Sequence, residues 1–428
     1  MGGKRRLFSE KKNGRNFRRR AVLPGTIAAV CVFAVFMVNR GGYADSLFRK
    51  NRAEAEQALV DATSTSYRYE REFVYTLWKY GALREFYVSD FSTAIPGLEN
   101  TCFPASHSNQ MVPQGICIAG DYMLISAYDK SGLEKSVIYV LSNDDPANRN
   151  LITTIVLPDK NHVGGIAFDG SSVWVAKSTS RRLSEISREQ IEAAAVSGQS
   201  VFELKEYDSE FNCGVIASFI GYQDDRLWVG TSHSFLGRQG GLTVFRRAET
   251  EDADAGETAD EQANVKPETD AGEAAEEQTN TKSETDVPEA AETKTKAGTA
   301  LKEKSEAEDE VKWIRQFSME IPDYAQGIAF FSEEGKDYLL LSTSHGRFQS
   351  SYLYLYEETI SDEKVLLSAR AKYEMPPMAE ELVSDGGYTY CLFESAATCY
   401  SVGEGLKYEY PVDRVCALDN YLLAGKEE

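Results

Sequence analysis

A short pattern that recurs along the chain constrains its fold more than any other feature. The clearest copy joins the apolar run Gly164-Gly165-Ile166-Ala167-Phe168, a turn over Asp169-Gly170-Ser171, and a second apolar run, Ser172-Val173-Trp174-Val175-Ala176-Lys177. Short runs rich in valine, isoleucine and aromatic residues, bounded by turn residues, read as paired strands. Related starts are Gln114-Gly115-Ile116 before Tyr122–Ser126, Ala217–Ile220 before Arg226–Gly230, and Gln326-Gly327-Ile328 before Tyr338–Ser342. Two more are Glu380-Glu381-Leu382 before Tyr388–Leu392 and Arg414–Leu418 before Tyr421–Ala424.

These make six copies, and the early ones lie about fifty residues apart, the length of a four-stranded propeller blade. Strand-like runs such as Ser136–Ser142, Leu151–Leu157, Ser351–Glu357 and Leu367–Glu374 fill the intervals, so each unit reads as strands A, B, C and D. The pattern predicts an all-β chain with a six-bladed β-propeller over residues 85–428, five or seven blades being the alternative counts. The sixth copy ends the chain after its A and B strands. Strands near Phe86 to Phe103 are therefore expected to complete that blade, which closes the ring and removes exposed sheet edges.

The 428-residue chain carries a net charge of −21, but unevenly. Within the first twenty residues Lys4, Arg5, Arg6, Lys11, Lys12, Arg15, Arg18, Arg19 and Arg20 face a single acid, Glu10, whereas much of the acid lies between Glu249 and Glu310. Residues 248–311 separate a C-type strand, Gly241–Phe245, from a D-type strand, Lys312–Ile321, and contain the near-copies Ala255–Asp270 and Ala271–Asp286. A tract so rich in Glu, Thr, Ala and Lys, with almost no large apolar side chain, cannot offset its ordering entropy and is expected to be a disordered acidic insertion. The rest of the domain lacks the clustered Lys and Arg that phosphate contacts require, which argues against nucleic acid as a partner.

Ala21–Val38 is an uncharged run (AVLPGTIAAVCVFAVFMV) at the short end of what spans a bilayer as a helix. With the basic residues ahead of it, it predicts a cytoplasmic tail over 1–20, a single transmembrane helix over 21–38 and an exported remainder, hence a single-pass protein of the cell membrane. A signal peptide cut near Ala44, after the small-x-small site Gly42-Tyr43-Ala44, is the alternative and would leave the protein secreted. Residues 45–84 read as helix, with Asp45 or Ser46 as a cap. They form either a stalk or, given Phe73, Trp78, Tyr80 and Leu83, a helix packed at the domain's edge.

Six cysteines follow Cys31, an even number that permits disulfides in an exported domain. Cys391 and Cys399 flank the B to C hairpin of the fifth repeat, and Cys117 and Cys416 occupy like positions on A strands; these are the candidate pairs, with buried free thiols as the competing reading. No CxxC spacing is present, which argues against a structural zinc site.

His162 and His107 lie just before A strands, while His233 and His345 directly follow B strands. In a propeller, the entry to A and the exit from B share one rim beside the axial channel. The same offsets elsewhere supply Gln114, Gln326, Glu380 and Glu381 at A entries, and Tyr128, Asp129, Lys177, Glu394 and Ser395 at B exits, with Arg347 two residues beyond His345. Polar groups recurring where the repeats converge are what a ligand site in a ring-shaped scaffold looks like, although solvation alone also puts polar residues on rims. Gln114, Asp129, His162, Lys177, His233, Gln326, His345, Arg347, Glu380 and Glu394 are therefore the candidate ligand-binding residues. No catalytic set and no metal site is assigned.

On Val112-Pro113-Gln114-Gly115-Ile116, Gly164-Gly165-Ile166-Ala167 and Gln326-Gly327-Ile328-Ala329, residues 85–428 resemble the NHL, YncE-like and SMP-30-like bacterial β-propellers. The resemblance implies the fold and, in the lactonase branch, a calcium ion held by groups such as Asp129, Glu380 and Glu394. The chain lacks the channel asparagines of that branch, the GxSxG context of a serine hydrolase and a phosphate-cradling glycine loop. The resulting expectation is a membrane-anchored, extracytoplasmic, monomeric binding module taking a small-molecule, glycan or protein ligand on its rim. It needs no cofactor; the alternative is a lactonase-like or lyase-like enzyme using a divalent cation.

Overall fold

A computed structural model describes residues 67–98, 110–232, 240–248, 313–360, 365–401 and 410–425. Their strands form five separate sheets arranged as blades, each built on four antiparallel strands. Blade I is β2 (Met111–Ala119), β3 (Tyr122–Asp129), β4 (Val137–Ser142) and β5 (Leu151–Val156). Blade II is β6 (Val163–Phe168), β7 (Ser172–Lys177), β8 (Arg182–Ser187) and β10 (Ser209–Asn212). Between β8 and β10 the chain forms helix α3 (Arg188–Val196) and β9 (Val201–Glu203), which adds to blade I parallel to β5.

Blade III is β11 (Phe219–Gln223), β12 (Arg226–Thr231), β13 (Gly240–Arg247) and β14 (Trp313–Ile321). Strands β13 and β14 pair as neighbours although residues 249–312 lie between them, outside the described residues. Blade IV is β15 (Ala325–Glu333), β16 (Lys336–Thr343), β17 (Ser351–Ile360) and β18 (Val365–Met375). Blade V is β19 (Ala379–Asp385), β20 (Tyr388–Phe393), β21 (Arg414–Asp419) and, outermost, β1 (Tyr87–Ala94).

The propeller thus has five blades, not six. The last copy, Arg414–Leu418, does not start a blade: β21 pairs antiparallel with β20, Cys391 opposite Cys416, and is the third strand of blade V. Residues Tyr421–Ala424, read as a B strand, belong instead to helix α5 (Asn420–Ala424), whose first turn is capped by the Asp419 carboxylate accepting from the Leu422 amide at 3.1 Å. The alternation of RVCALD suits a buried strand anywhere in a blade, so apolar pattern alone cannot separate A from C. The expected return of an amino-terminal strand does occur, in the last blade: β1 pairs with β21, so both ends of the described chain close one sheet.

The inner strands β2, β6, β11, β15 and β19 contact one another in sequence around the ring, and β19 returns to β2. Between neighbouring blades lie apolar layers such as Trp174, Ile220, Val229 and Phe245 between II and III. Trp228, Leu242, Ile328 and Leu339 form the equivalent layer between III and IV. Burying each such side chain is worth about 1.5–3 kcal/mol. The interfaces are also tied by polar links: Asp169 caps its own turn through Ser171 and Ser172, accepts from the Trp174 indole at 2.8 Å, and pairs with Arg247 of blade III at 2.6 Å.

Ahead of β1 stand helices α1 (Glu70–Lys79) and α2 (Gly81–Phe86). Phe73, Tyr80, Leu83 and Phe86 are buried in the layer between blades IV and V, whereas Trp78 is 72% exposed. Residues 70–86 are therefore part of the propeller wall and not a free stalk, because their apolar stripe is used. The buried Arg414 guanidinium lies 3.6 Å from the Tyr67 ring and 3.9 Å from that of Phe73, while Asp413 accepts from the Arg68 and Tyr69 amides. Residues 1–66, including Ala21–Val38, lie outside the described residues; none of the described helices is long and apolar enough to cross a membrane.

Candidate functional site

The axis is built by glycine. In blades I, II and IV the inner strand carries Gly115, Gly165 and Gly327 just after a bulge in its pairing with the B strand. A Cβ on Gly165 would lie 2.4 Å from Glu381 Oε1 and 2.9 Å from the Ile220 amide nitrogen; one on Gly115 would lie 2.9 Å from both Glu381 Oε2 and Gly165 Cα. The glycines let the strands approach closely enough to surround one side chain. That side chain is Glu381, which stands at the glycine position of blade V. Its Oε2 accepts from the amides of Ile116 at 2.9 Å and Ile166 at 2.8 Å, and its Oε1 from that of Ile220 at 3.2 Å. A single fully buried carboxyl thus links blade V to blades I, II and III. Burial holds it well above the ordinary carboxylate range, against the three amides, which favour its anion. All three partners are donors, so the cradle asks only for acceptor oxygens.

One residue earlier, Glu380 belongs to a different environment. At the rim where A strands begin, His162 Nε2 lies 2.6 Å from Gln114 Oε1, and Gln114 Nε2 donates to Glu394 Oε2 at 3.0 Å and to the Pro113 carbonyl at 2.9 Å. With both recorded amide contacts donated, Gln114 Oε1 is the acceptor, so His162 carries its proton on Nε2. Its ring packs on Tyr128, centroids 4.1 Å apart. Helix α4 (Thr398–Ser401) brings Tyr400 to the same cluster, its ring 3.9 Å from Lys130 Nζ and 4.4 Å from the Arg347 guanidinium. Glu380 is buried beside Glu394.

The protonation states follow from these surroundings. Burial pushes Glu394 up to about 7, against Lys130, Tyr400, Gln114 and Arg347, which favour its anion. Burial, with the charges of Glu394 and Glu381 beside it, holds Glu380 well above the usual carboxylate range. Burial brings His162 down to about 4, so it is a neutral donor near pH 7. Two neighbouring buried carboxyls oppose each other's ionisation, and Lys130 and Arg347 favour the anion at Glu394.

Gln114, His162, Glu394 and Arg347 share this cluster, and Glu380 reaches it through the charge of Glu394. The other candidates are placed elsewhere. Asp129 caps its own loop, accepting from the backbone of Ser131, Leu133 and Glu134. Lys177 is buried in ion pairs with Asp159 at 3.0 Å and Glu210 at 2.9 Å, over the Tyr207 ring. Gln326 is half-buried at the entry to β15, and His345 packs on Tyr324, centroids 4.3 Å apart. His233 and His107 lie outside the described residues. Tyr400 was not legible in the sequence, since α4 belongs to a connection outside the repeat, and Lys130, one residue past the B-strand exit Asp129, joins the cluster through the Tyr400 ring. Glu381 carried a signal: an acid where three of the other copies have glycine.

The calcium set implied by the family resemblance does not fit. Asp129 spends its oxygens on its loop, and Glu394 already has Lys130 and Arg347 beside it. Among the described residues no three His, Cys, Asp or Glu side chains are grouped to hold a metal ion. The described cysteines, Cys117, Cys213, Cys391, Cys399 and Cys416, are free thiols. Cys416 lies on the third strand of blade V and not on an A strand, in a different apolar layer from Cys117, so that pairing has no geometric basis. Cys399 sits on α4, beyond the B strand that holds Cys391. At the opposite end of the axis, the A strands leave a cavity of about 390 Å³ lined by residues including Ile118, Phe168, Tyr222, Phe330 and Asp385.

No protein-family model matches the chain, and no curated protein does. Solved structures with similar architecture include a glutaminyl cyclase from Myxococcus xanthus, at 9% identity and TM-score 0.35, covering 72% of this chain and 91% of that one. A nidogen/laminin complex aligns at 9% identity and TM-score 0.30, covering 67% and 74%. An exo-β-1,3-galactanase from Phanerochaete chrysosporium with galactose aligns at 10% identity and TM-score 0.34, covering 71% of this chain and 58% of that chain. At such scores the likeness says nothing about a ligand or reaction. The assignment of this chain as a β-propeller rests on its own five sheets.

Proposed function

We propose that the chain is a membrane-anchored, extracytoplasmic β-propeller that acts as a binding module at the bacterial cell surface, with its ligand site on the rim where β2, β6 and β19 begin. The anchor is the Ala21–Val38 run, and the motifs shared with NHL and YncE-like propellers belong to the same reading. The observation that carries the site is the relay His162–Gln114–Glu394, with the buried Glu380 beside it and Lys130 and Arg347 next to Glu394. A ligand presenting a hydrogen-bond donor or a cationic group to Glu380, and an acceptor to Lys130 or Arg347, matches the cluster. A small molecule, a glycan end or a protein loop each meets that description.

The test is a thermal-shift screen of the purified full chain against small amines, amino acids, oligosaccharides and peptides. Hits should fail with Glu380→Gln and weaken with Arg347→Ala while both variants remain folded. Hits unaffected by both substitutions would move the site off this rim. An enzymatic reading retains one observation, two neighbouring buried carboxyls of which Glu394 has Lys130 and Arg347 beside it, an arrangement able to supply an acid and a base. Turnover of any hit that disappears with Glu380→Gln would favour it. For the anchor, a reporter fused after Gly425 should be active outside the cytoplasm and sediment with membranes; a soluble cytoplasmic reporter would contradict it.

A further inference from the structure

Strand β21 entered blade V as a C strand, and this brings together two thiols that the repeat pattern had kept apart. Cys391 on β20 and Cys416 on β21 are direct register partners, flanked by Tyr390↔Ala417 and Thr389↔Leu418. Facing residues of an antiparallel pair have Cα atoms about 4.5–5.5 Å apart and side chains on the same face, which lies within the span a disulfide bridges. Both side chains are fully buried in the same apolar layer, with Leu382, Phe393 and Leu418. Each sulfur has only a long contact to a backbone carbonyl, at 3.9 Å, so neither is committed to a polar partner.

We propose that Cys391 and Cys416 form a disulfide when the chain folds in an oxidising compartment, stapling the second and third strands of the blade that β1 closes. The chemistry is thiol–disulfide exchange with a small-molecule or protein disulfide. One cysteine thiolate attacks the disulfide, releasing one thiol and forming a mixed disulfide. The second then attacks the cysteine sulfur of that adduct and expels the other thiol. Two electrons and two protons pass from the pair to the oxidant. The exchange belongs to folding, before β20 and β21 are buried, because the folded blade leaves no path to either sulfur. The bond would close a loop of about two dozen residues, which constrains the unfolded chain.

The test is to refold the denatured full chain in a mixture of reduced and oxidised glutathione, block remaining thiols with iodoacetamide under denaturing conditions, and map the peptides. The expected product links the peptides of Cys391 and Cys416, leaves Cys117 and Cys213 alkylated, and unfolds roughly 5–10 °C higher than reduced protein. In Cys117→Ser the same link and shift persist. In Cys391→Ser or Cys416→Ala both vanish, and because the link is read in the parent chain, a variant that fails to fold does not remove the test. Recovery of both cysteines fully alkylated, or a link from Cys391 to Cys399 instead, overturns the proposal.

Discussion

Glu380 and Glu381 are neighbours on one strand, both buried, and their surroundings differ in almost every other respect. Glu381 turns to the axis, where the strands of three other blades aim backbone amides at it. Glu380 lies against Glu394 at the rim, and the charge of Glu394 adds repulsion. The difference shows how one chain assigns opposite tasks to adjacent acids: a carboxyl held by backbone donors of three blades holds structure, while one set beside a second carboxyl at the rim is available to something from outside. Both lie in the irregularity of β19 between Ala379 and Leu382, where its pairing with β20 shifts register and the two side chains take different surroundings.

The comparison breaks most severely if Glu381 is removed. Glu381→Ala leaves three buried amides without an acceptor at the point where four blades meet, and unfolding should become easier by about 3–5 kcal/mol, measured by denaturant titration. Gly165→Ala attacks the same cradle from the opposite wall. Its new methyl would meet Glu381 Oε1 and the blade III backbone, neither free to retreat, and the expected loss is about 1–3 kcal/mol.

The rim should show itself by pH more than by magnitude. Glu394 has its folded pKa raised to about 7, so its contribution is fully present below the unfolded value near 4.5 and is lost as pH rises through 7. His162 has its folded pKa lowered to about 4, so its contribution is present above 6.5 and is lost as pH falls toward 4. The two oppose each other between pH 4.5 and 6.5. Glu394→Gln should therefore flatten the decline in stability between pH 5 and 7, and His162→Gln should flatten the loss on the acid side, both read from chemical unfolding at a series of pH values. A pH profile unchanged by both substitutions would mean that neither group is buried as described.

Much of the fold was legible because blade strands repeat one local rule: a glycine at the axis, then alternating β-branched or aromatic residues. The blade count was not. RVCALD near the chain end alternates as an A strand does, and only the pairing of β21 with β20 reveals it as the third strand of blade V. The rim was legible in part for the same reason. Gln114, His162, Glu380 and Glu394 sit at repeat-determined offsets, and three of them join one hydrogen-bonded relay. Asp129 and Lys177 share those offsets, yet a loop cap and a double ion pair consume them, because offset fixes where a residue starts and not where its side chain turns. Tyr400 completes the cluster from α4, a segment with no counterpart in the other blades, and meets Lys130, which follows β3.

The division between the two adjacent acids is tested most directly by thermal unfolding of Glu380→Gln and Glu381→Gln in the same buffer near pH 7.5. Each substitution preserves shape and removes the ionisable group. In Glu381→Gln the new amide hydrogens must face a cradle of donors, and the melting temperature should fall by several degrees. Glu380→Gln removes a carboxyl that Glu394 repels and that no set of backbone amides from other blades holds, and its melting temperature should stay level or rise. Equal losses in the two variants, or a larger loss in Glu380→Gln, would contradict the assignment of one acid to the ring and the other to the site.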